Sequence, residues 1–201
     1  MMRATTLLAM TALATIAMPA IAQAQVTARA DGAEARQGDA TVRVVALTDS
    51  ILRVRIARGG TMPEDASWAV DKDTRAQHVA VTPAADGFAT RAMRVRFLAD
   101  GRLRVEDLAG TLISEDVAPI AFDGKAFTLK KAMPQAEHYF GMGDKTGGLD
   151  RRGKSFVHWN TDAYGFGSGD DPIYKSIPFF IGVGGAGGSY GLFLEIGRAH
   201  V

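Results

Sequence analysis

An antiparallel β-sandwich is the fold this sequence predicts, and three observations predict it. From Thr41 onward, apolar residues recur with a period of two. Turn-forming pairs punctuate those runs at short intervals, at Gly59-Gly60, Asp86-Gly87, Asp100-Gly101 and Asp123-Gly124, with Gly110 between the last two. No segment after residue 25 carries an apolar stripe at helical spacing. Many short strands spaced in this way pack as two sheets face to face, which makes the class all-β.

The elements follow in order. ILRVRI sets Leu52, Val54 and Ile56 on one face and Arg53 and Arg55 on the other, the arginines reading as a solvated face. Arg58 to Gln77 is polar and aperiodic and reads as a long loop. MRVRFL sets Met93, Val95 and Phe97 against Arg94 and Arg96, and RLRVED repeats the pattern with Leu103 and Val105. Asp100-Gly101 between these two runs marks a hairpin. KAFTLKK, EHYFGMG, SFVHW, IPFFIGVG and SYGLFLE supply the remaining strands. No linker rich in Pro or Ser divides the chain, and no repeat at a solenoid or propeller period is present. The 201 residues, 47% of them hydrophobic, suffice for one buried core.

Residues 1–24 are excluded from that core. Arg3 forms a positive n-region, an apolar run broken by Thr residues and Pro19 follows, and Ala22 and Ala24 make an A-x-A-like cleavage site before Gln25. This reads as a signal peptide, so a periplasmic or secreted location is expected, with no membrane attachment after its removal. With no cysteine, the chain has no lipoprotein attachment, disulfide or thiolate metal site. Of 23 Lys and Arg, only Arg3 lies in 1–24, and the remaining 22 balance 22 Asp and Glu. A neutral domain without a basic cluster argues against a nucleic-acid partner.

Two glycine motifs match phosphate-binding patterns in letters only. GLDRRGKS, Gly148 to Ser155, needs a helix after it to aim backbone N–H groups at phosphate. SFVHW reads as a strand there, and Asp150 would put a carboxylate in the cradle. GVGGAG, Gly182 to Gly187, is likewise followed by a strand pattern and reads as a glycine-rich hairpin. An NTP-binding enzyme is thereby disfavoured, and no cofactor is expected. Asp162, Asp170 and Asp171 lack the spacing of a calcium loop, so no metal site is assigned. Glu137 and His138, the pair an epimerase-like site would need, are neighbours and face opposite sides of a strand.

The run from His158 to Phe180 holds more chemistry. Trp159, Tyr164, Phe166 and Tyr174 alternate with Asn160, Asp162, Asp170 and Asp171, among glycines that permit sharp turns. Aromatic rings that stack on sugar faces and carboxylates that accept hydroxyl hydrogen bonds are what carbohydrate recognition asks for. His158 reads as a strand residue on a sheet face, without an acid placed to orient it.

EHYFGMGDKTGGLDRRG, WNTDAYG, DPIYKSIPFF and YGLFLE, in this order and spacing, resemble glycoside hydrolase family 31, the α-glucosidase and α-xylosidase family. The resemblance runs from about Val42 to Glu195, with Met142 and Asp144 standing where the family more often has Leu and Glu. It implies a galactose-mutarotase-like β-sandwich over residues 25–195, preceding a (β/α)8 barrel that this chain does not contain. In the family two barrel carboxylates carry the retaining mechanism, so no catalytic residue is expected here. The resemblance also implies an acidic residue on a sandwich loop that contacts sugar beyond the scissile bond. The matching position is Asp162, with Tyr164 beside it. The implied partners are an α-linked oligosaccharide or glycoside and the barrel. A free-standing carbohydrate-binding sandwich is the alternative. The last six residues, IGRAHV, match one frame of a common sequencing adapter, and a non-native tail over 196–201 is expected. The 201-residue chain alone is expected to lack glycosidase activity and to fold poorly or self-associate.

Overall fold

The computed structural model describes residues 24–195. The signal-peptide reading, apart from Ala24, and the tail 196–201 lie outside the described residues. β1 (Gln25–Arg29), β2 (Gly32–Gln37), β3 (Ala40–Ala46) and β4 (Leu52–Arg58) form one antiparallel sheet in chain order. β5 (Thr82–Ala84), β6 (Gly87–Ala89), β7 (Met93–Phe97), β8 (Leu103–Asp107) and β9 (Leu112–Glu115) form a second. A hairpin of β10 (Ala121–Asp123) and β11 (Ala126–Thr128) follows. β12 (His138–Gly143), β13 (Ser176–Gly185) and β14 (Gly188–Phe193) make a third sheet. The only helix among the described residues is one turn, α1 (Lys72–Ala76), capped by Asp71, whose carboxylate accepts from the N–H groups of Asp73 and Thr74.

The first two sheets enclose the core. Ala33, Ala35, Val44 and Ala46 face Phe88, Val95, Phe97 and Leu103, with Val79 and Val81 packed alongside from the connecting strap. The strap is tied down by Val79 N–H to the Ala46 carbonyl, 3.0 Å, and Val81 N–H to the Ala30 carbonyl, 3.3 Å. On β7 the predicted alternation is realised in full: Met93, Val95 and Phe97 are buried, and Arg94 and Arg96 are exposed. The β7–β8 hairpin turns at Asp100-Gly101 as read, through a loop closed by Leu98 N–H to the Arg102 carbonyl.

β4 departs from its pattern in two ways. Val54 is 42% exposed although it pairs with the fully buried Val44, because β4 is the edge of its sheet and no further strand flanks it. The arginine face is not open to solvent. Arg53 grips Asp65 with both Nη atoms at 2.7 and 2.6 Å, and Arg75 reaches the same carboxylate at 2.8 Å. The aperiodic loop is thus fastened across the outside of β4 by one aspartate, and those arginines hold its carboxyl far below the ordinary range, Arg53 foremost.

The third sheet has two unlike faces. Tyr139, Phe180 and Tyr190 meet edge-to-face, with centroids 5.6 and 6.3 Å apart, and the Tyr139 hydroxyl donates to the buried Glu137 at 2.6 Å. On the other face, Ile177, Phe179 and Ile181 of β13, with the paired Phe140 and Phe193, are exposed. The glycine-rich β13–β14 hairpin forms as read. Gly187 sits against β9 so closely that a Cβ there would lie 2.3 Å from the Leu112 carbonyl oxygen, which makes it a packing requirement.

Phe88→Ala should lower stability by about 3–5 kcal/mol, since it empties the largest fully buried position. Arg94→Ala, on the exposed face of the same sheet, should stay within ~0.5 kcal/mol. Denaturant unfolding of the two variants checks both.

Candidate functional site

The site is the excursion between β12 and β13, residues 144–175. β12 ends in a bulge at Gly141 and Gly143, with Met142 between them at φ 73°, a left-handed conformation that a residue with a side chain adopts under constraint. Gly143 is also positive in φ, and a Cβ there would meet the Lys175 carbonyl oxygen at 2.2 Å. The bulge thus bends the chain out of the sheet beside the place where it re-enters.

Two buried cations organise the first part of the excursion. Arg151 donates to the carbonyls of Gly141, Thr146 and Gly148 at 3.3, 3.2 and 2.9 Å, while its own N–H donates to the Tyr139 carbonyl at 2.7 Å. Lys145, its side chain 0% exposed, donates from Nζ to Asp171 Oδ1 at 2.8 Å and to the Val157 carbonyl at 2.6 Å. The other oxygen of Asp171 accepts the Val157 N–H. Both cations also lie over the Phe156 ring, 5.8 Å for Lys145 and 5.3 Å for Arg151. Burial would raise the Asp171 carboxyl, but the Lys145 ammonium and the Val157 N–H outweigh it and hold the group below its ordinary range.

Residues 157–171 leave and return at that junction. Asn160 Oδ1 accepts the Ser176 N–H at 2.7 Å, and Thr161 N–H donates to the Ile173 carbonyl at 3.2 Å. The Tyr174 hydroxyl donates to the Ala163 carbonyl at 3.2 Å, and its ring meets Phe166 edge-on at 5.8 Å. Asp170 Oδ2 accepts the Gly167 N–H, and Thr146 Oγ1 donates to the Asp170 carbonyl and accepts the Gly169 N–H. What remains at the tip is Asp162, exposed, with no side-chain hydrogen bond or ion pair among the described residues, and Tyr164, 99% exposed. Trp159 is exposed on the same loop. A free carboxylate, a phenol and an indole on a fixed backbone can accept hydroxyl hydrogen bonds and stack on an apolar ring face.

The three aspartates do not converge. Asp171 is engaged by Lys145, Asp170 by its own turn, and Asp162 stands apart. Among the described residues no three potential metal ligands come together. SFVHW, expected as a strand, has no regular structure, because Phe156 is drawn under the two cations and the flanking Val157 pairs with Asp171. GLDRRGKS therefore precedes neither a helix nor a strand. Its Gly148 carbonyl receives Arg151 and Lys154, so the segment gathers cations and forms no anion cradle.

The surroundings of four groups escaped the sequence reading. Lys145 and Arg151 lie inside quoted motifs as ordinary surface-type residues, and only their burial marks them. His158 has Asp171 in its surroundings after all, and its Nδ1 is buried without a partner among the described residues. Burial first, and then the Lys145 charge, push its pKa below the ordinary value. Asp150 accepts from His138 at 2.7 Å and from the N–H groups of Arg152 and Tyr139, which hold its carboxyl down to about 2. Glu137 is buried and His138 exposed, so these two neighbours form no joint site.

This geometry stands beside three comparisons. The family described as glycosyl hydrolase 31 N-terminal galactose mutarotase-like domain matches residues 41–196. The chain belongs to that family. Its N-terminal domain fold is that of α-glucosidase-like glycoside hydrolases. Alpha-glucosidase 2 of Bacillus thermoamyloliquefaciens is 37% identical over 101 residues, covering 47% of this chain and 12% of that protein. An alpha-glucosidase of Saccharolobus solfataricus is 38% identical over 71 residues, 35% of this chain and 10% of its own length. The GH31 dextranase of Flavobacterium johnsoniae, solved with isomaltotriose, superposes with a TM-score of 0.71 at 23% identity, over 82% of this chain and 22% of the dextranase. The cycloalternan-forming enzyme of Listeria monocytogenes, solved with a pentasaccharide substrate, gives 0.61 at 18% identity over 80% and 17%. The chain thus spans about an eighth of the first relative and about a fifth of the dextranase.

The depressed His158 titration predicts a pH effect. Below the ordinary histidine value near 6.5, the unfolded chain takes up a proton that the folded chain refuses. Stability is therefore full above about pH 6.5 and falls as pH drops toward the lowered folded value. The melting temperature should decline between about pH 7.5 and 5.5, and less so in His158→Gln.

Proposed function

We propose that this chain is the N-terminal part of an exported, retaining α-glycosidase whose two catalytic carboxylates lie on a following (β/α)8 barrel. In this reading the loop 157–171 reaches an α-linked oligosaccharide. Asp162 accepts hydrogen bonds from hydroxyls of the sugar beyond the scissile bond, and Tyr164 lies against its ring. The observation that carries it is how the loop is held: its base, its 167–170 turn and its other carboxylates are engaged internally, and the side chains of Asp162 and Tyr164 at the tip have no partner among the described residues. A loop built in this way has a fixed shape and an unused recognition surface. The exposed apolar row of Ile177, Phe179, Ile181, Phe140 and Phe193 supports a following domain, since contiguous apolar area of this kind is ordinarily covered. In this reading the catalytic step belongs to the barrel, and the contribution of this chain is which leaving group fits.

Asp162→Ala in the complete gene product should lower kcat/KM for an α-linked trisaccharide by about tenfold or more, the scale of a lost hydrogen bond to a charged group. Hydrolysis of a 4-nitrophenyl α-glucoside, which has no sugar beyond the scissile bond, should change less than about twofold. Equal losses on both substrates would count against the reading. A genomic frame with a stop and no barrel after residue 195 would leave only a free-standing carbohydrate-binding sandwich.

A further inference from the structure

A fully enclosed lysine side chain at the base of an exposed loop needs a reason. Burying an ammonium is costly, and it is tolerated when paired and hydrogen-bonded, as Lys145 is by Asp171 and the Val157 carbonyl. An apolar side chain of the same length would fill the space at no such cost. It could not join Val157 to Asp171. The ammonium and the carboxylate together bridge both backbone polar groups of Val157, the N–H through Asp171 and the C=O through Lys145. Val157 and Asp171 stand 14 positions apart in sequence, one at each end of the loop that carries Asp162. Closing the loop at its base takes up the entropy of ordering it before any ligand arrives. Beyond this clasp, the bonds that tie the two ends of the loop together are Thr161 to Ile173, Asn160 to Ser176 and Tyr174 to Ala163, none of which involves a charged group, while Asp170 and Thr146 hold only the Gly167–Asp170 turn.

We propose that Lys145 is the positioning residue of the 157–171 loop, locking its base through Asp171 and Val157 so that Asp162 is held in one orientation toward sugar. The locking stands on this geometry alone, and its consequence for sugar rests on the proposed role of Asp162.

Amide hydrogen exchange on the complete gene product tests the locking. In Lys145→Met the amides of Val157, Thr161 and Gly167 should exchange at least about tenfold faster, while Val95 and Phe97 in the core keep their rates. Lys145→Arg, which keeps the charge and can reach the same acceptors, should restore slow exchange. Unchanged loop exchange in Lys145→Met overturns the proposal. If that variant also loosens the core, Asp171→Asn decides, with faster loop exchange supporting the lock and unchanged exchange overturning it. Isomaltotriose titration followed at the Trp159 indole tests the positioning. Affinity should fall in Lys145→Met and return in Lys145→Arg. Asp162→Ala should lose the same affinity with loop exchange unaltered. Should Asp162→Ala bind isomaltotriose like the wild type, the sugar role falls and the lock stands. If Asp162→Ala weakens binding and Lys145→Met does not, the positioning role is overturned.

Discussion

Phe88 and Phe97 find room in this sandwich because the sheet they face presents Ala33, Ala35 and Ala46. One layer supplies bulk and the other supplies space, and that complementarity sets how closely the two sheets approach. The connections follow from it. Val79 and Val81 can close the side of the core only when the strap carrying them hydrogen-bonds to Ala46 and Ala30. The aperiodic loop before the strap is then anchored where Asp65 meets Arg53 and Arg75.

The third sheet obeys a different constraint. One of its faces is an aromatic cluster over Glu137, and the other is left apolar and exposed. Its central strand is separated from β12 by the whole site excursion, so the sheet forms only when those residues fold compactly enough to bring Ser176 back to Gly143. Arg151 and Lys145 accomplish this from inside, gathering carbonyls and one carboxylate around Phe156. In a region without strands, buried cations do the work that a backbone ladder does elsewhere. The proposed recognition surface is what this leaves over: Asp162, Tyr164 and Trp159, exposed outside the junction.

Much of the fold was legible because period-two patterning records burial directly. Met93, Val95 and Phe97 read as inward and are inward; Asp100-Gly101 and the GVGGAG hairpin turn as their composition says. The failures share a cause. SFVHW alternates like a strand, yet Phe156 is held by cations from sequence positions before it and Val157 by an aspartate after it. Val54 has the pattern of a core residue, but whether a further strand flanks its own is a matter of sheet order. Arg53 and Arg55 looked solvated because Asp65 lies in a stretch with no periodicity to place it.

For the site, the sequence alone determined the loop, its aromatic and acidic content, and the family to which its motifs point. These are local properties, written in residue type and spacing. Only the tertiary structure decided which of the three aspartates is free. Asp162, Asp170 and Asp171 are chemically identical, and they differ solely in what the fold brings to them: Lys145 to Asp171, a turn N–H to Asp170, and solvent to Asp162. For Asp171 a partner 26 residues away decides that the carboxylate is structural, and no reading of nearest neighbours along the chain contains it.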